Sequence, residues 1–291
     1  MDLTSVKTIK EIFARYDARP SKRMGQNFLV DKSVLQKIIV AAELKPNDIV
    51  LEIGPGIGTL TQELAKTTKQ VITVEKDSKM CEILEETLSD FNNIEIIQDD
   101  VLKLNNFKLI SNFKFKISNY KIVANLPYYI TSPVIRKFLE NPPNEKQPEL
   151  MVLMLQKEVA QRICAKPPNM SILSVSVQFY AKPVIMSYVS KGCFWPSPKV
   201  DSAIIRIIPK NLTSREIEGR VSPDLFFKIV KAGFSQPRKQ LGNNLSKMLK
   251  LDKQKIREIL LQSGIDPKRR AEALEINDWL KLIKLLKNSP Y

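Results

Sequence analysis

The chain contains no histidine and only three cysteines among its 291 residues. The absence of imidazole excludes Ser-His-Asp and Cys-His nucleophilic catalysis, HExxH metalloproteases and histidine-dependent zinc deaminases. Cys81, Cys164 and Cys193 are odd in number and show no CxxC spacing, so the sequence predicts neither a disulfide framework nor a zinc ribbon. These absences indicate a reducing compartment and chemistry without a metal.

Long apolar runs are also missing. The longest uncharged apolar stretch, residues 167–181, has 15 residues and begins with two prolines, whereas a membrane-spanning helix needs roughly 20 apolar residues. The first 25 residues carry Asp2, Glu11 and Asp17 and no apolar run, which argues against a secretory signal and, more weakly, against an organelle transit peptide. We therefore expect a cytoplasmic protein with no membrane partner.

Acidic residues are few relative to basic ones. The chain has 46 Lys and Arg against 31 Asp and Glu, a net charge of +15, and from residue 210 onward 18 basic residues stand against 9 acidic ones. In a chain without a membrane anchor, this excess favours a polyanionic partner, nucleic acid more than an anionic membrane surface. The other interpretation is a basic surface that is merely solvated.

Apolar runs and helical patterns alternate over the first 209 residues, in a chain that is 43% hydrophobic and 26% charged. Strand-like runs occupy residues 49–53, 71–75, 94–98, 121–125 and 150–155, and helical spacing occupies 33–44, 60–66, 78–88 and 132–140. This alternation is typical of βαβ units around a buried parallel sheet. We take Ser33 as the N-cap of the first of these helices.

Two further runs, 184–190 and 200–208, are separated by a loop with Gly and Pro, and we expect them to pair as an antiparallel addition to the sheet edge. Beyond residue 209 only helical patterns remain, at residues 225–234, 240–249, 254–261 and 277–286. The sequence therefore predicts two domains, residues 1–209 and residues 210–291.

A glycine loop follows the first predicted strand, with glycines at alternate positions: Gly54, Gly56 and Gly58. Glu75 ends the next strand, where a carboxylate accepts both ribose hydroxyls in dinucleotide-type sites. An NAD site needs a third glycine where this chain has Thr59. The observed pattern, with Glu52 two residues before the first glycine, resembles the S-adenosylmethionine loop of class I methyltransferases. A plain tight turn would explain one glycine but hardly three.

A second acidic site follows the third predicted strand. Asp99 and Asp100 come directly after residues 94–98, so a carboxylate stands on the same rim of the sheet as the glycine loop. In methyltransferases of this type that position accepts a hydrogen bond from the adenine amino group, and Asp100 aligns best with it. Seen alone, two adjacent carboxylates are also compatible with a solvated turn.

The most specific feature is the acceptor tetrad at the end of the fourth predicted strand: Asn125, Leu126, Pro127 and Tyr128. Methylating an exocyclic amine of a nucleobase is difficult because the nitrogen lone pair is delocalised into the ring. An Asn side-chain oxygen and an inward backbone carbonyl, directed by the proline, would accept the two amine hydrogens and favour a pyramidal nitrogen. The tyrosine offers a stacking face. No general base is needed, since the cationic product loses its proton to water.

Two weaker interpretations accompany the tetrad. The alternative for the tetrad itself is a turn that buries a tyrosine. Phe194, in the run Gly-Cys-Phe-Trp-Pro at 192–196, is a candidate second aromatic wall for the target base, although such a residue alone is more often part of the core.

Five motifs occur in succession: Gly-Gln-Asn-Phe-Leu at 25–29, Glu-Ile-Gly-Pro-Gly at 52–56, the acceptor tetrad, Met-Leu-Gln-Lys-Glu-Val at 154–159 and Pro-Ser-Pro-Lys-Val-Asp-Ser at 196–202. From about residue 8 to 280, the chain resembles the KsgA/RsmA family of small-subunit ribosomal RNA dimethyladenosine transferases. The resemblance implies a class I methyltransferase, Rossmann-like α/β fold. Its mostly parallel seven-stranded sheet has helices on both faces and is followed by a small all-helical C-terminal domain that binds RNA.

The activity that the resemblance implies is transfer of methyl groups from S-adenosylmethionine to N6 of two adjacent adenosines near the 3′ end of small-subunit (16S) ribosomal RNA. The products are N6,N6-dimethyladenosines, made during small-subunit biogenesis. The partner is then this RNA in a pre-ribosomal particle, and we expect a monomer.

The resemblance also implies site residues. The family's cofactor contacts fall on Asn27, Leu29, Gly54, Gly56, Glu75, Asp100 and Asn125. The acceptor site comprises the tetrad and Phe194, and the RNA-binding candidates are Arg23, Lys199, Arg238 and Lys239. Two departures are visible: Tyr129 stands where the family has Asn, and Pro237 stands where a second Arg is common.

Three alternatives remain open at this point. Antibiotic-resistance dimethylases of large-subunit RNA share the fold and a related tetrad, but they usually have Ile where this chain has Leu126. A DNA adenine methylase has a related acceptor motif. However, residues 238–245, which resemble the basic helical segment of the small-subunit family, and the run at 199–202 suit that family better. A non-catalytic ribosome assembly factor would not need Glu75 and the tetrad intact.

Overall fold

The computed structural model describes residues 1–104, 119–140, 147–210 and 221–288. The chain divides into two compact units. The first comprises Met1–Ala160 with Pro183–Pro209, and the second comprises Gln161–Lys182 with Lys210–Tyr291. Among the described helices, none is both long enough and apolar enough to cross a membrane.

The strands form one large and one small sheet. They are β1 (Phe28–Leu29), β2 (Ile49–Ile53), β3 (Gln70–Glu75), β4 (Ile94–Gln98), β5 (Lys121–Asn125), β6 (Leu150–Gln156), β7 (Ala181–Val189), β8 (Phe194–Trp195) and β9 (Ser202–Pro209). The large sheet has seven strands in the order β4-β3-β2-β5-β6-β9-β7, and β1 pairs antiparallel with β8. Strands β2 to β6 pair in parallel, and β9 runs antiparallel to β6. The predicted fold class, a mostly parallel seven-stranded sheet, is confirmed.

The described helices of the first unit are α1 (Val6–Arg15), α2 (Lys32–Ala42), α3 (Thr59–Thr67), α4 (Ser78–Thr87) and α5 (Thr131–Leu139), and α6 (Lys157–Ile163) begins there. The prediction of Ser33 as N-cap was wrong. Asp31 caps α2 instead, because its carboxylate accepts hydrogen bonds from the amides of Ser33 and Val34. Helix α1, which the sequence analysis did not predict, buries Ile9, Ile12 and Phe13.

The second unit is helical, with α7 (Ile172–Tyr180), α8 (Pro223–Gly233), α9 (Leu241–Leu249), α10 (Lys253–Gln262) and α11 (Ile276–Asn288). Its core includes Phe226 and Trp279, which are fully buried. Val175 and Phe179 of α7 belong to the same core. Residues 161–182 therefore pack with the second unit, although the predicted boundary at residue 209 assigned them to the first domain.

The strand order fixes where a ligand can enter the first unit. From central strand β2 the chain passes outward through β3 to β4 and then returns to β5 on the opposite side of β2. Loops leave β2 and β5 in opposite directions, so a crevice opens beyond their carboxyl ends. All five residues of β2 are buried, as expected of a central parallel strand, and this strand provides a rigid base for the loop that follows it.

Candidate active site

A cavity of about 270 Å³ lies beyond the carboxyl ends of β2, β3, β4 and β5. The structure places there every residue that the sequence analysis assigned to cofactor or acceptor binding. These lining residues are Asn27, Leu29, Gly54, Gly56, Glu75, Asp100, Asn125, Leu126, Pro127, Tyr128 and Phe194. They come from parts of the chain up to 167 residues apart, from Asn27 to Phe194, and the topology of the sheet brings them to one edge.

The glycine loop connects β2 to α3 with backbone torsions that favour glycine. Gly54, Gly56 and Gly58 have φ values of +66°, +59° and +90°. A Cβ atom on Gly56 would stand 3.0 Å from the ring of Phe28, which also lines the cavity. A side chain at this position would therefore press against the cavity wall. Gly58 serves packing instead, because a Cβ there would lie 2.9 Å from Leu88.

Glu75 ties the glycine loop to the end of β3. Its carboxylate accepts hydrogen bonds from the amides of Gly56 at 3.2 Å, Lys76 at 2.7 Å and Asp77 at 2.9 Å. Burial raises the pKa of Glu75, while these amides oppose the increase. The carboxylate therefore both shapes the loop and presents acceptor oxygens to the cavity.

Glu52, the acidic residue at the start of the glycine motif, lines the same cavity. Its side chain is buried, and its Oε2 atom has no hydrogen-bond partner among the described residues. Burial raises its pKa to about 8, so this carboxyl group is mostly protonated at neutral pH. Glu52 was quoted in the sequence motif, but no site role was assigned to it.

Asp100 is held as an anion at the end of β4. Its Oδ1 accepts a hydrogen bond from the Leu102 amide at 3.0 Å, and its Oδ2 accepts one from Lys76 Nζ at 2.9 Å. The bond from Lys76 is the main reason why the pKa of Asp100 is lowered. An ionised carboxylate can only accept hydrogen bonds, and this is the form needed to accept one from an amino group.

The acceptor tetrad begins where β5 ends. Asn125 Nδ2 donates to the carbonyl oxygen of Asn27 at 3.4 Å, which leaves Oδ1 as the side-chain atom able to accept a hydrogen. The Leu126 amide donates to the Met154 carbonyl at 3.1 Å, which fixes the tetrad to β6. Pro127 has φ of −54° and ψ of 129°, an extended conformation, and the 3₁₀ turn Tyr128–Ile130 follows it, with the Ile130 amide donating to the Pro127 carbonyl at 3.1 Å.

Two aromatic residues stand at the tetrad. Tyr128 is partly buried, and its hydroxyl forms a 2.8 Å hydrogen bond with Ser202 Oγ. Burial raises the pKa of Tyr128, so the phenol is neutral. Phe194 is 5% exposed and belongs both to the hydrophobic core and to the cavity wall, which combines the two interpretations given from the sequence. Sequence reasoning missed Ser202 as a site residue, although it closes the motif at 196–202.

The RNA-binding candidates lie outside the cavity lining. Arg23 and Lys199 are exposed residues of the first unit, and neither lines the cavity. Arg238 and Lys239 are exposed in the turn between α8 and α9 of the second unit. Tyr129, one of the departures from the family pattern, lines the cavity and is 57% exposed. Among the described residues, no group of three or more His, Cys, Asp or Glu could hold a metal ion.

A family model described as ribosomal RNA adenine dimethylase matches residues 18–288. A protein named ribosomal RNA small subunit methyltransferase A from Dehalococcoides mccartyi is 45% identical over 94% of this chain and 90% of its own length. One of the same name from Geobacillus kaustophilus is 40% identical over 98% of this chain and 97% of its own.

Solved structures give the same picture. A dimethyladenosine transferase from Plasmodium falciparum has a TM-score of 0.72 and 30% identity, over 89% of this chain and 98% of that one. The 23S rRNA methyltransferase ErmE has a TM-score of 0.70 and 28% identity, over 90% of this chain and all of its own.

Proposed function

The chain belongs to the ribosomal RNA adenine dimethylase family, and from that premise we propose which residues carry out the reaction. The protein is an S-adenosylmethionine-dependent adenine dimethyltransferase of small-subunit ribosomal RNA. Relatives named for the small subunit are 40–45% identical over more than nine-tenths of the chain, whereas the 23S enzyme is 28% identical. One observation carries the residue assignment: the glycine loop and the acceptor tetrad line the same cavity.

The polar groups of the cavity fit S-adenosylmethionine, which supplies an electrophilic methyl group when bound. Glu75 offers carboxylate oxygens suited to ribose hydroxyls, and ionised Asp100 offers an acceptor suited to the adenine amino group. Gly56 forms a cradle that a Cβ would fill. The holding residues we propose are Asn27, Leu29, Gly54, Gly56, Glu75, Asp100 and Asn125.

The tetrad would orient the target amine. We propose that Asn125 Oδ1 and the Leu126 carbonyl each accept one hydrogen of the adenine N6 amine, which draws the nitrogen toward a pyramidal, nucleophilic geometry. Pro127 sets the turn that presents that carbonyl. Tyr128 and Phe194 would hold the flipped base between aromatic faces. The product ammonium transfers its proton to water, so no histidine is required.

The finer features of the substrate are also proposals. We propose that the two adjacent adenosines near the 3′ end are methylated in a pre-ribosomal particle. Arg23, Lys199, Arg238 and Lys239 would contact phosphates, and their exposure supports this. The described lining of the cavity belongs wholly to the first unit, and we propose that a single chain is sufficient for activity. The three cysteines are free, which supports a reducing cytoplasm.

A methylation assay with separated subunits tests this function. Small subunits, pre-ribosomal particles of the small subunit, large subunits and naked RNA, all prepared from cells that lack the modification, are incubated with the protein and S-adenosylmethionine labelled in its methyl group. We expect label on small-subunit RNA, with pre-ribosomal particles as the best substrate. Label on large-subunit RNA would support the resistance-dimethylase alternative, and no label on any substrate would support a non-catalytic assembly factor.

A further inference from the structure

Tyr128 is attached to the protein at both ends of its ring. Its hydroxyl bonds to Ser202 Oγ at 2.8 Å, and Ser202 is fully buried. Ser202 is the first residue of β9 and pairs with Gln156 of β6 in the antiparallel ladder. The hydroxyl is therefore bonded to a fixed strand and not to a mobile loop or to bulk water.

The bond constrains the orientation of the ring. Cβ and the hydroxyl lie on the long axis of a tyrosine ring, so anchoring the hydroxyl prevents the ring from swinging about χ1. A phenylalanine at this place would keep the stacking face but lose the distal anchor. A neutral phenol suits the bond because either oxygen can then act as the donor.

The residue before Ser202 holds the second aromatic wall. Asp201 Oδ1 accepts a hydrogen bond from the Lys191 amide at 3.0 Å. Lys191 opens a single 3₁₀ turn, Lys191–Cys193, which leads directly into Phe194. The backbone carbonyl of Asp201 also accepts from the Lys157 amide at 3.0 Å, which fixes Asp201 to the end of β6.

We propose that Asp201 and Ser202 are positioning residues that set the geometry of the two aromatic walls of the base pocket. Ser202 fixes Tyr128, and Asp201 fixes the turn that carries Phe194. Neither touches the reacting atoms, and both act through the walls. The proposal rests on the proposed function, because the walls matter only if a flipped base lies between them.

A double-mutant cycle tests the Ser202 part. Ser202→Ala and Tyr128→Phe each remove one end of the same bond. A hydrogen bond of this kind corresponds to about a three- to tenfold effect, so each variant should lower kcat for dimethylation by that factor. The double variant should be no slower than the slower single variant, because the second change removes nothing further.

Three readouts separate positioning from a structural defect. Calorimetric affinity for S-adenosylmethionine and filter-binding affinity for RNA should stay within about twofold in both single variants, since phosphate contacts dominate RNA affinity. Ser187→Ala is the matched control: it removes a hydroxyl of β7 whose hydrogen bond among the described residues is to the Tyr188 carbonyl, and kcat should not change. If the losses multiply in the double variant, or if neither single variant loses kcat, the proposal is wrong.

A conservative pair tests Asp201. Asp201→Asn keeps an oxygen that can accept from the Lys191 amide, and it should keep at least half of the wild-type kcat. Asp201→Ala removes the hydrogen bond from the Lys191 amide and should lower kcat three- to tenfold, with unchanged affinity for S-adenosylmethionine. Equal kcat for both variants would contradict the proposal. Failure of the proposed function would look different, because the wild-type protein itself would then form no dimethyladenosine.

Discussion

At the scale of single residues, the pKa of Glu52 makes the stability of this chain depend on pH in an unusual range. Burial raises that pKa from 4.5 to about 8, and the chain has no histidine to titrate nearby. Between these two values the folded protein retains a proton that the unfolded chain has released. The contribution of Glu52 to stability is therefore complete below pH 4.5 and is lost as the pH rises toward 8.

Glu52→Gln should remove this dependence. The free energy of unfolding of the variant should exceed that of the wild type by an amount that grows from pH 5 to pH 8, at up to about 1.4 kcal/mol per pH unit. Urea unfolding at pH 5, 6.5 and 8 measures the difference. A difference that stays constant with pH would mean that Glu52 is ionised in the folded protein.

Glu75 should be more sensitive to truncation than a simple ligand contact. Because its carboxylate also holds the amide of Gly56, Glu75→Ala should disturb the glycine loop and lower S-adenosylmethionine affinity by more than about tenfold, since each bond to a charged acceptor contributes about 1.5–3 kcal/mol. Glu75→Gln keeps one acceptor oxygen and should lose less. Calorimetry measures the S-adenosylmethionine affinity of both variants. Unchanged affinity in the alanine variant would mean that Glu75 does not bind the ribose.

At the scale of elements, regular patterns were predictable and short pairings were not. The predicted strands at 49–53, 94–98 and 121–125 match β2, β4 and β5 to the residue. Strands β2 and β5 are almost entirely buried and mostly apolar, whereas β4 is a partly exposed edge strand that its three isoleucines still reveal. Strands β1 and β8 have two residues each and therefore no periodicity to detect. Their pairing sets Leu29 opposite Phe194, so one wall of the cavity depended on a contact that the sequence could not reveal.

Two further features were not predicted from the sequence, helix α1 and the hydrogen bond between Tyr128 and Ser202. Helix α1 was predictable, since Ser5 is a capping residue and Ile9, Ile12 and Phe13 follow at helical spacing. The bond between Tyr128 and Ser202 joins residues 74 positions apart, and the pairing of β5 with β6 and of β6 with β9 brings them together. Most of the predicted cofactor and acceptor residues end or follow β2, β3, β4 and β5, whose carboxyl ends share one edge, so their common place in the cavity lining was predictable. Their roles in binding and catalysis stay predictions.

The glycine loop gives a prediction that separates backbone strain from ligand access. Gly56→Ala places a Cβ 3.0 Å from Phe28 at a φ of +59° and should lower S-adenosylmethionine affinity at least about tenfold, given a left-handed strain of about 1–2 kcal/mol plus the steric conflict. Gly264→Ala is the matched control in the second unit. Gly264 has a φ of +75°, and a Cβ atom there would meet no described atom within 4 Å beyond its chain neighbours. It should lower stability without changing affinity. Equal S-adenosylmethionine affinities for both variants would mean that the glycine loop does not contact the cofactor.

At the scale of the whole molecule, the charge of +15 should govern RNA affinity through phosphate contacts. The segment 228–250 has six basic and no acidic residues, all of them exposed: Lys228, Lys231, Arg238, Lys239, Lys247 and Lys250. Reversing Arg238 and Lys239 to Glu should weaken RNA binding. It should also flatten the plot of log affinity against log salt by up to about 0.7–0.9 per lost contact.

The control for this charge reversal is Lys281→Glu with Lys284→Glu on α11, two exposed residues of the same unit. It changes the net charge equally but lies outside the proposed segment, so its salt slope should change less. S-adenosylmethionine affinity should not change in either variant, because the cofactor residues belong to the first unit. If the two reversals act equally, net charge and not this segment determines RNA binding.

In our assignment, the acceptor tetrad carries out the adenine dimethylation of small-subunit RNA. Mass spectrometry of nuclease-digested RNA tests it, using particles that lack the modification and incubating them with wild-type protein or Asn125→Ala. We expect N6,N6-dimethyladenosine at two adjacent positions of small-subunit RNA with the wild type, and at least about a hundredfold slower formation with Asn125→Ala at unchanged RNA affinity. Dimethyladenosine formed at the wild-type rate by Asn125→Ala, or formed only on large-subunit RNA, would contradict this assignment of the tetrad.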